Sequence, residues 1–130
     1  MKILQPPGRP RPRGYSNGVE ASGRMLFTAG VVGWDSEERF AALDLAGQFG
    51  QALRNVLAVL AEGGAGPEHV VRMTCYVTSV EEYRASLAEI GAAWRETMGR
   101  HYPAMAVVGI SALVEPEAKV EIEATAVVPE

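Results

Sequence analysis

Residues 119–128 place Val120, Ile122, Ala124 and Ala126 on one side of an extended chain and Glu121, Glu123 and Thr125 on the other. A two-residue period belongs to a strand, so this stretch commits the chain to a sheet with one apolar face. Residues 70–77 repeat the period with a difference. Val71, Met73, Cys75 and Val77 alternate with Val70, Arg72, Thr74 and Tyr76, and this second set is too apolar for a freely solvated surface. A subunit interface over that face is the expected explanation.

Two helical patterns lie between the strands. Leu45, Phe49, Ala52, Leu53, Val56 and Leu60 recur at helical spacing until Gly63 and Gly64 stop the run. Ser79-Val-Glu-Glu82 matches a capping box, in which the serine oxygen takes the N3 amide and Glu82 reaches back to the cap amide. Tyr83, Leu87, Ile90, Trp94 and Met98 then share one helix face up to Gly99, a stripe that reads as core rather than as a cofactor box. Upstream, Gly23-Arg24 reads as a hairpin turn joining a strand that starts at Tyr15 to one in which Met25, Phe27, Ala29 and Val31 alternate with Arg24, Leu26, Thr28 and Gly30. Residues 104–112 alternate once more. The order of strand, strand, helix, strand, helix, strand, strand gives an α+β domain, a mixed β-sheet with two helices packed on one face.

With 130 residues there is material for one core. Residues 15–130 are expected to form that domain, preceded by a Pro/Arg-rich arm at 1–14 that reads as extended, with solvated arginines. The arm holds Lys2, Arg9, Arg11 and Arg13 and no acid, whereas the remainder holds 8 bases against 16 acids. An acidic body argues against nucleic acid as a partner, because a phosphate-binding module presents a basic face on its folded part. The single cysteine, Cys75, excludes an internal disulfide, and a reducing cytoplasm is the expected compartment. No apolar stretch reaches the roughly 18 residues that span a bilayer, so no membrane partner is expected. A domain of this size has little depth for a closed pocket, and one completed by a second chain is anticipated.

Neither a Gly-rich phosphate loop nor a Gly-x-Ser-x-Gly elbow is present, and His69 and His101 make a poor metal pair, so neither a metal nor a cofactor is expected. What remains is a pattern running along the chain: Gly-Tyr-Ser-Asn-Gly-Val (14–19), Leu-Phe-Thr-Ala-Gly (26–30), Pro-Ala-Met (103–105) and Lys-Val-Glu-Ile-Glu-Ala (119–124). This arrangement resembles the RidA/YjgF family, also labelled endoribonuclease L-PSP, from about Gly14 to Val128. The resemblance implies a chorismate-mutase-like fold assembled as a homotrimer, with clefts lined by adjacent protomers. It also implies cofactor-independent hydrolysis of reactive enamines and imines, such as 2-aminoacrylate, to keto acids and ammonia.

Carried over by position, the resemblance makes Tyr15 a cleft-lining residue, Gly30 a backbone contributor and Glu121 the catalytic residue that positions water. It also implies departures. Met105 stands where the family has a carboxylate-binding arginine, Ala29 where it has a small hydroxyl residue, and Val107 where a cysteine is common. A thioether cannot imitate the bidentate grip of a guanidinium, so amino-acid-derived imines are expected to be poor substrates. Met105 and Val107 would line a more apolar substrate site, with Trp34 as a further wall. His101 and Tyr102 fall near its mouth, and Arg72 and Arg100 are candidate replacement cations. The expected function is a cofactor-independent, deaminase-like hydrolase of a small imine, enamine or related metabolite. A non-catalytic ligand-binding or regulatory trimer is the alternative, with endoribonuclease activity third.

Overall fold

In a computed structural model that describes residues 1–130, the chain runs through β1 (Lys2–Leu4), β2 (Gly18–Glu20), β3 (Arg24–Phe27), β4 (Val31–Val32) and α1 (Leu45–Glu62). A 3-10 turn (Pro67–His69) leads into β5 (Val70–Val77), followed by α2 (Val80–Ala85), α3 (Leu87–Thr97), β6 (Ala104–Gly109) and β7 (Val120–Val128). Five strands make one mixed sheet in the order β3-β7-β5-β6, with β4 also on β7. Strand β7 pairs antiparallel with β3, β4 and β5, whereas β5 and β6 are parallel across the connection through α2 and α3. The fold is a single α+β domain with its helices layered on the sheet.

The core lies between that layer and one sheet face. Val120, Ile122, Ala124 and Ala126 of β7 and Met73, Cys75 and Val77 of β5 are buried against Phe49, Leu53, Val56 and Leu60 of α1. Each large aliphatic side chain fully buried there stabilises the fold by about 1.5–3 kcal/mol. Helix α1 starts at Asp44, whose carboxylate accepts from the Gly47 amide at 3.3 Å, and stops at Gly63, followed by Gly64 at φ +82°. One polar side chain is wholly buried in this layer. Gln48 donates to the carbonyls of Ala42 (3.2 Å) and Glu117 (2.9 Å) and accepts from the Lys119 amide (2.7 Å), joining α1 to its own approach and to the start of β7.

The sequence expectations need correction at five places. The second helix is two, making three helices in all: Ser86 leaves helical geometry (φ −109°, ψ 15°), and its amide bonds three residues back to Tyr83, which tightens and ends α2. Gly23-Arg24 does not join a hairpin; β2 pairs with β1 and β3 with β7. Gly23, at φ +146°, passes so close to the Val128 carbonyl that only glycine fits, and the turn delivers β3 to β7. Val70 belongs to the core rather than the opposite face, because a bulge at Val71 shifts the β5/β7 register. The arm keeps its arginines exposed but is not wholly extended, since it turns at Gly8 (φ +79°) and Gly14 (φ +81°), and its first residues, Lys2–Leu4, form a ribbon with β2. Only half of the capping box forms. Ser79 accepts from the Glu82 amide, but the Glu82 carboxylate turns to the Lys119 ammonium (3.0 Å) and the Leu45 amide (3.2 Å).

Replacing Gln48 with Leu leaves two carbonyls and an amide without their partner at about 1–3 kcal/mol per buried group, so urea denaturation of Gln48→Leu is expected to show a loss of about 3 kcal/mol. A loss below about 1 kcal/mol would show that the loops find other partners. Burial pushes the Cys75 thiol up to about 12. Ellman's reagent at pH 8 is therefore expected to titrate no thiol in the folded protein and one after unfolding.

Candidate functional site

A cavity of about 500 Å³ opens between α3 and the edge strand β6. Trp94 and Tyr102 line it as a stacked pair, ring centroids 6.1 Å apart and planes 5° from parallel, and the Trp94 indole N–H is fixed on the His101 carbonyl at 3.1 Å. Met105 and Val107 pair with Met73 and Cys75 and so project to the helix side of β6, into the same cavity. Tyr15 stands at the mouth, 41% exposed. It is held there by its neighbour Ser16, which bridges to Ala104, takes the Pro103 carbonyl with its amide and donates its hydroxyl to the Tyr102 carbonyl. The helical stripe read as core serves two purposes: Ile90, Trp94 and Met98 are buried in the core, while Leu87 is an exposed part of the cavity wall.

Glu121 and Gly30 meet on the other face of the sheet. Three residues, 28–30, oppose two of β7 between the pairs Phe27/Thr125 and Val31/Ile122, which is one extra residue and a bulge. Thr28 fills the gap with its amide on the Ala124 carbonyl and its hydroxyl accepting from the Ala124 amide. The bulge sets Gly30 against Glu121, and a Cβ at position 30 would lie 2.5 Å from the Glu121 Oε2. Glu121 is half-buried, and its carboxylate has no hydrogen bond or ion pair within the chain. Its cross-strand neighbour is Tyr76, whose hydroxyl donates to Glu123 at 2.7 Å.

The structure thus brings Tyr15, Met105 and Val107 together, and Gly30 and Glu121 together, on opposite faces of one sheet. Trp34 joins neither group. It packs on Phe40 with centroids 5.9 Å apart, and its carbonyl accepts from Asn55. Ala29 is exposed in the bulge. His101 places its Nε2 2.6 Å from the Val70 carbonyl and lines a separate hollow with Arg100, while Arg72 lies on the acidic face. The cations that do line the cavity are Arg13 and Arg95, which sequence reasoning missed. Arg13 carries no periodic signal, because Gly14 between it and Tyr15 is in the left-handed region (φ +81°) and breaks the alternation of an extended chain. Tyr76 and Glu123 were also missed as partners, although β5 and β7 are both legible as strands. No group of three or more His, Cys, Asp or Glu side chains converges on a metal-sized site. No helix is long and apolar enough to cross a membrane.

A five-stranded mixed sheet with helices on one face, and a cavity along its edge strand, defines a class of small α+β domains. Within that class the chain belongs to the endoribonuclease L-PSP family, the RidA/YjgF proteins, whose pattern matches residues 8–128. It is 33% identical to a RutC family protein from Synechocystis sp. over 99% of this chain and 98% of that one. It is 29% identical to a 2-iminobutanoate/2-iminopropanoate deaminase from Salmonella typhimurium over 87% of this chain and 86% of that one. In structure it is similar to a Rid family protein of unknown function, YyfB from Yersinia pestis, with a TM-score of 0.86 and 35% identity over 98% of each chain.

Ionising Tyr76 would forfeit its bond to Glu123 and set a phenolate beside Glu123 and Glu121, so its pKa is held above the ordinary value near 10. The folded state therefore favours the protonated phenol. This contribution to stability is present below the unfolded pKa and is lost as pH rises through the higher folded one. Ultraviolet titration, taken as the difference between wild type and Tyr76→Phe, is expected to show a late-ionising tyrosine, and Glu123→Gln to bring it back towards 10. An unchanged titration in Glu123→Gln would contradict this origin.

Proposed function

We propose that this protein is a cofactor-independent hydrolase of small imines or enamines, working in clefts between the protomers of a homotrimer. The observation that carries the reading is Glu121, a half-buried carboxylate with no internal partner, pressed on a glycine that leaves room for it and nothing larger. Such a group can take a proton from water as the water oxygen adds to the imine carbon and the nitrogen is protonated. The carbinolamine then expels ammonia as the C–N bond breaks and the C=O bond forms. One water is consumed and one ammonia released, with no oxidant or reductant. The name of the Salmonella relative, an imine deaminase, supports the same chemistry.

The trimer is inferred from the division of the site. One protomer cannot offer the Tyr15, Met105 and Val107 wall and the Glu121 carboxylate to one small molecule, because the sheet lies between them. A neighbouring copy supplies the missing half. Met25 and Phe27, 59% and 68% exposed on the Glu121 face of β3, are surface that such a neighbour would cover. With Met105 at the cavity wall, simple amino-acid imines are expected to be weak substrates.

Imines generated by amino-acid and amine oxidases, coupled to ketone detection, test the reaction. Glu121→Gln is expected to lower kcat/KM by about 10²–10⁴-fold with the fold intact. Co-expressing Glu121→Gln with the cavity-blocking Met105→Trp is expected to restore activity, since mixed trimers contain one cleft with both halves intact. No hydrolysis of any imine by wild type, with small molecules still raising its Tm, would favour the non-catalytic binder. No recovery in the mixture would overturn the shared cleft.

A further inference from the structure

The cavity between α3 and β6 is lined mostly by apolar side chains, yet the charged groups among its walls are two guanidiniums and no carboxylate. Arg13 and Arg95 are both exposed, and neither is paired with an acid in the chain. In a protein of net charge −4, a cavity with two unpaired positive charges departs from the average in a definite direction. Arg95 folds back along α3 over Gly91, one turn earlier, its Nη1 3.4 Å from where a Cβ of residue 91 would be, an ordinary contact distance. Arg13 arrives from the other side, on the chain entering β2 beside Tyr15. In the same cavity the stacked Trp94 and Tyr102 offer an aromatic wall.

We propose that this cavity selects ligands with an apolar, planar body and an anionic head, the body lying on Trp94, Tyr102 and Met105 and the head held by Arg13 and Arg95. The proposal deepens the function above and rests on its reading of this cavity as one wall of the reaction cleft. Guanidinium groups bind carboxylate and phosphate oxygens with charge-assisted, directional hydrogen bonds, and aromatic faces favour flat bodies. Both arginines are solvated, so the gain from the head is modest and sensitive to salt. A short hydrophilic acid satisfies the cations but leaves the aromatic wall uncovered. A neutral aromatic covers the wall but leaves the cations unused.

Calorimetric titration of the full-length protein tests this with three probes: 3-phenylpropionate, 2-phenylethyl phosphate and the uncharged 3-phenylpropionamide. At least one of the anionic probes is expected to bind about tenfold more tightly than the amide, and the better of the two identifies the head. That advantage is expected to shrink with added salt, to fall in Arg95→Gln or Arg13→Gln, and to vanish in the double variant, with Arg95→Lys retaining part of it. Equal affinity for acids and amide, no binding of any probe, or an advantage that survives the double substitution would overturn the proposal. Glu121→Gln separates the two claims: it is expected to lower hydrolysis by about 10²–10⁴-fold without removing the preference. A wild type that prefers the acids but hydrolyses no imine removes the reaction and leaves the ligand class standing. A wild type that hydrolyses imines without the preference does the reverse.

Discussion

The register of β7 is the constraint from which the other parts of the molecule follow. The strand is paired on both edges, by β3 and β4 on one side and β5 on the other, and its apolar and polar residues strictly alternate from Val120 to Ala126. A slip by one residue would drive Glu121 and Glu123 into the core and expel Ile122 and Ala124, so one register is strongly preferred. That register sets Glu121 opposite Tyr76 and opposite Val32, and brings Glu123 within reach of the Tyr76 hydroxyl. Chemistry on one face is therefore positioned by hydrophobic burial on the other.

The helical layer is matched to β7 through polar contacts as well as apolar packing. Gln48 and the Glu82–Lys119 pair both converge on the residue that precedes β7, one from α1 and one from α2. The first is wholly buried and fully satisfied, the second only partly shielded, so the weight of the junction falls on the amide rather than on the ion pair. With β7 fixed at its start, β5 and β6 follow in register, and the helix-facing side chains of β6 meet α3 along the cavity.

Periodicity revealed the elements whose own residues decide their conformation. The strands β5 and β7, helix α1 with its glycine stop, and the Ser79 cap all follow from spacing and local chemistry, and the family resemblance identified Tyr15, Gly30, Glu121, Met105 and Val107 for attention. What escaped was decided by contacts distant in sequence. The bulges at Val71 and at residues 28–30 bear no compositional mark, since either segment reads as unbroken strand until its partner is known. Glu82 fits a capping box and is drawn instead to Lys119, 37 residues away. Trp34 looks like a cleft wall by position, yet it lies beside Phe40 because the loop after β4 turns towards α1, where Asn55 holds its carbonyl. Arg95 lies on the cavity because α3 packs against β6 there, a feature visible only once the helix and its neighbours are assembled.

The ribbon of β1 and β2 is hydrogen-bonded as a sheet of its own, apart from the five strands that carry the core. Arg13 sits on the connection within that ribbon, and no strand of the main sheet depends on what residue 13 is. The cavity is thus built from two kinds of chain: α3 and β6, whose Ile90 and Trp94 also belong to the core, and an approach at Arg13–Tyr15 that carries none of it. A change at residue 13 alters the rim of the cavity while the sheet, its buried amide and its acidic face stay as they are, whereas a change at Trp94 alters both the wall and the core.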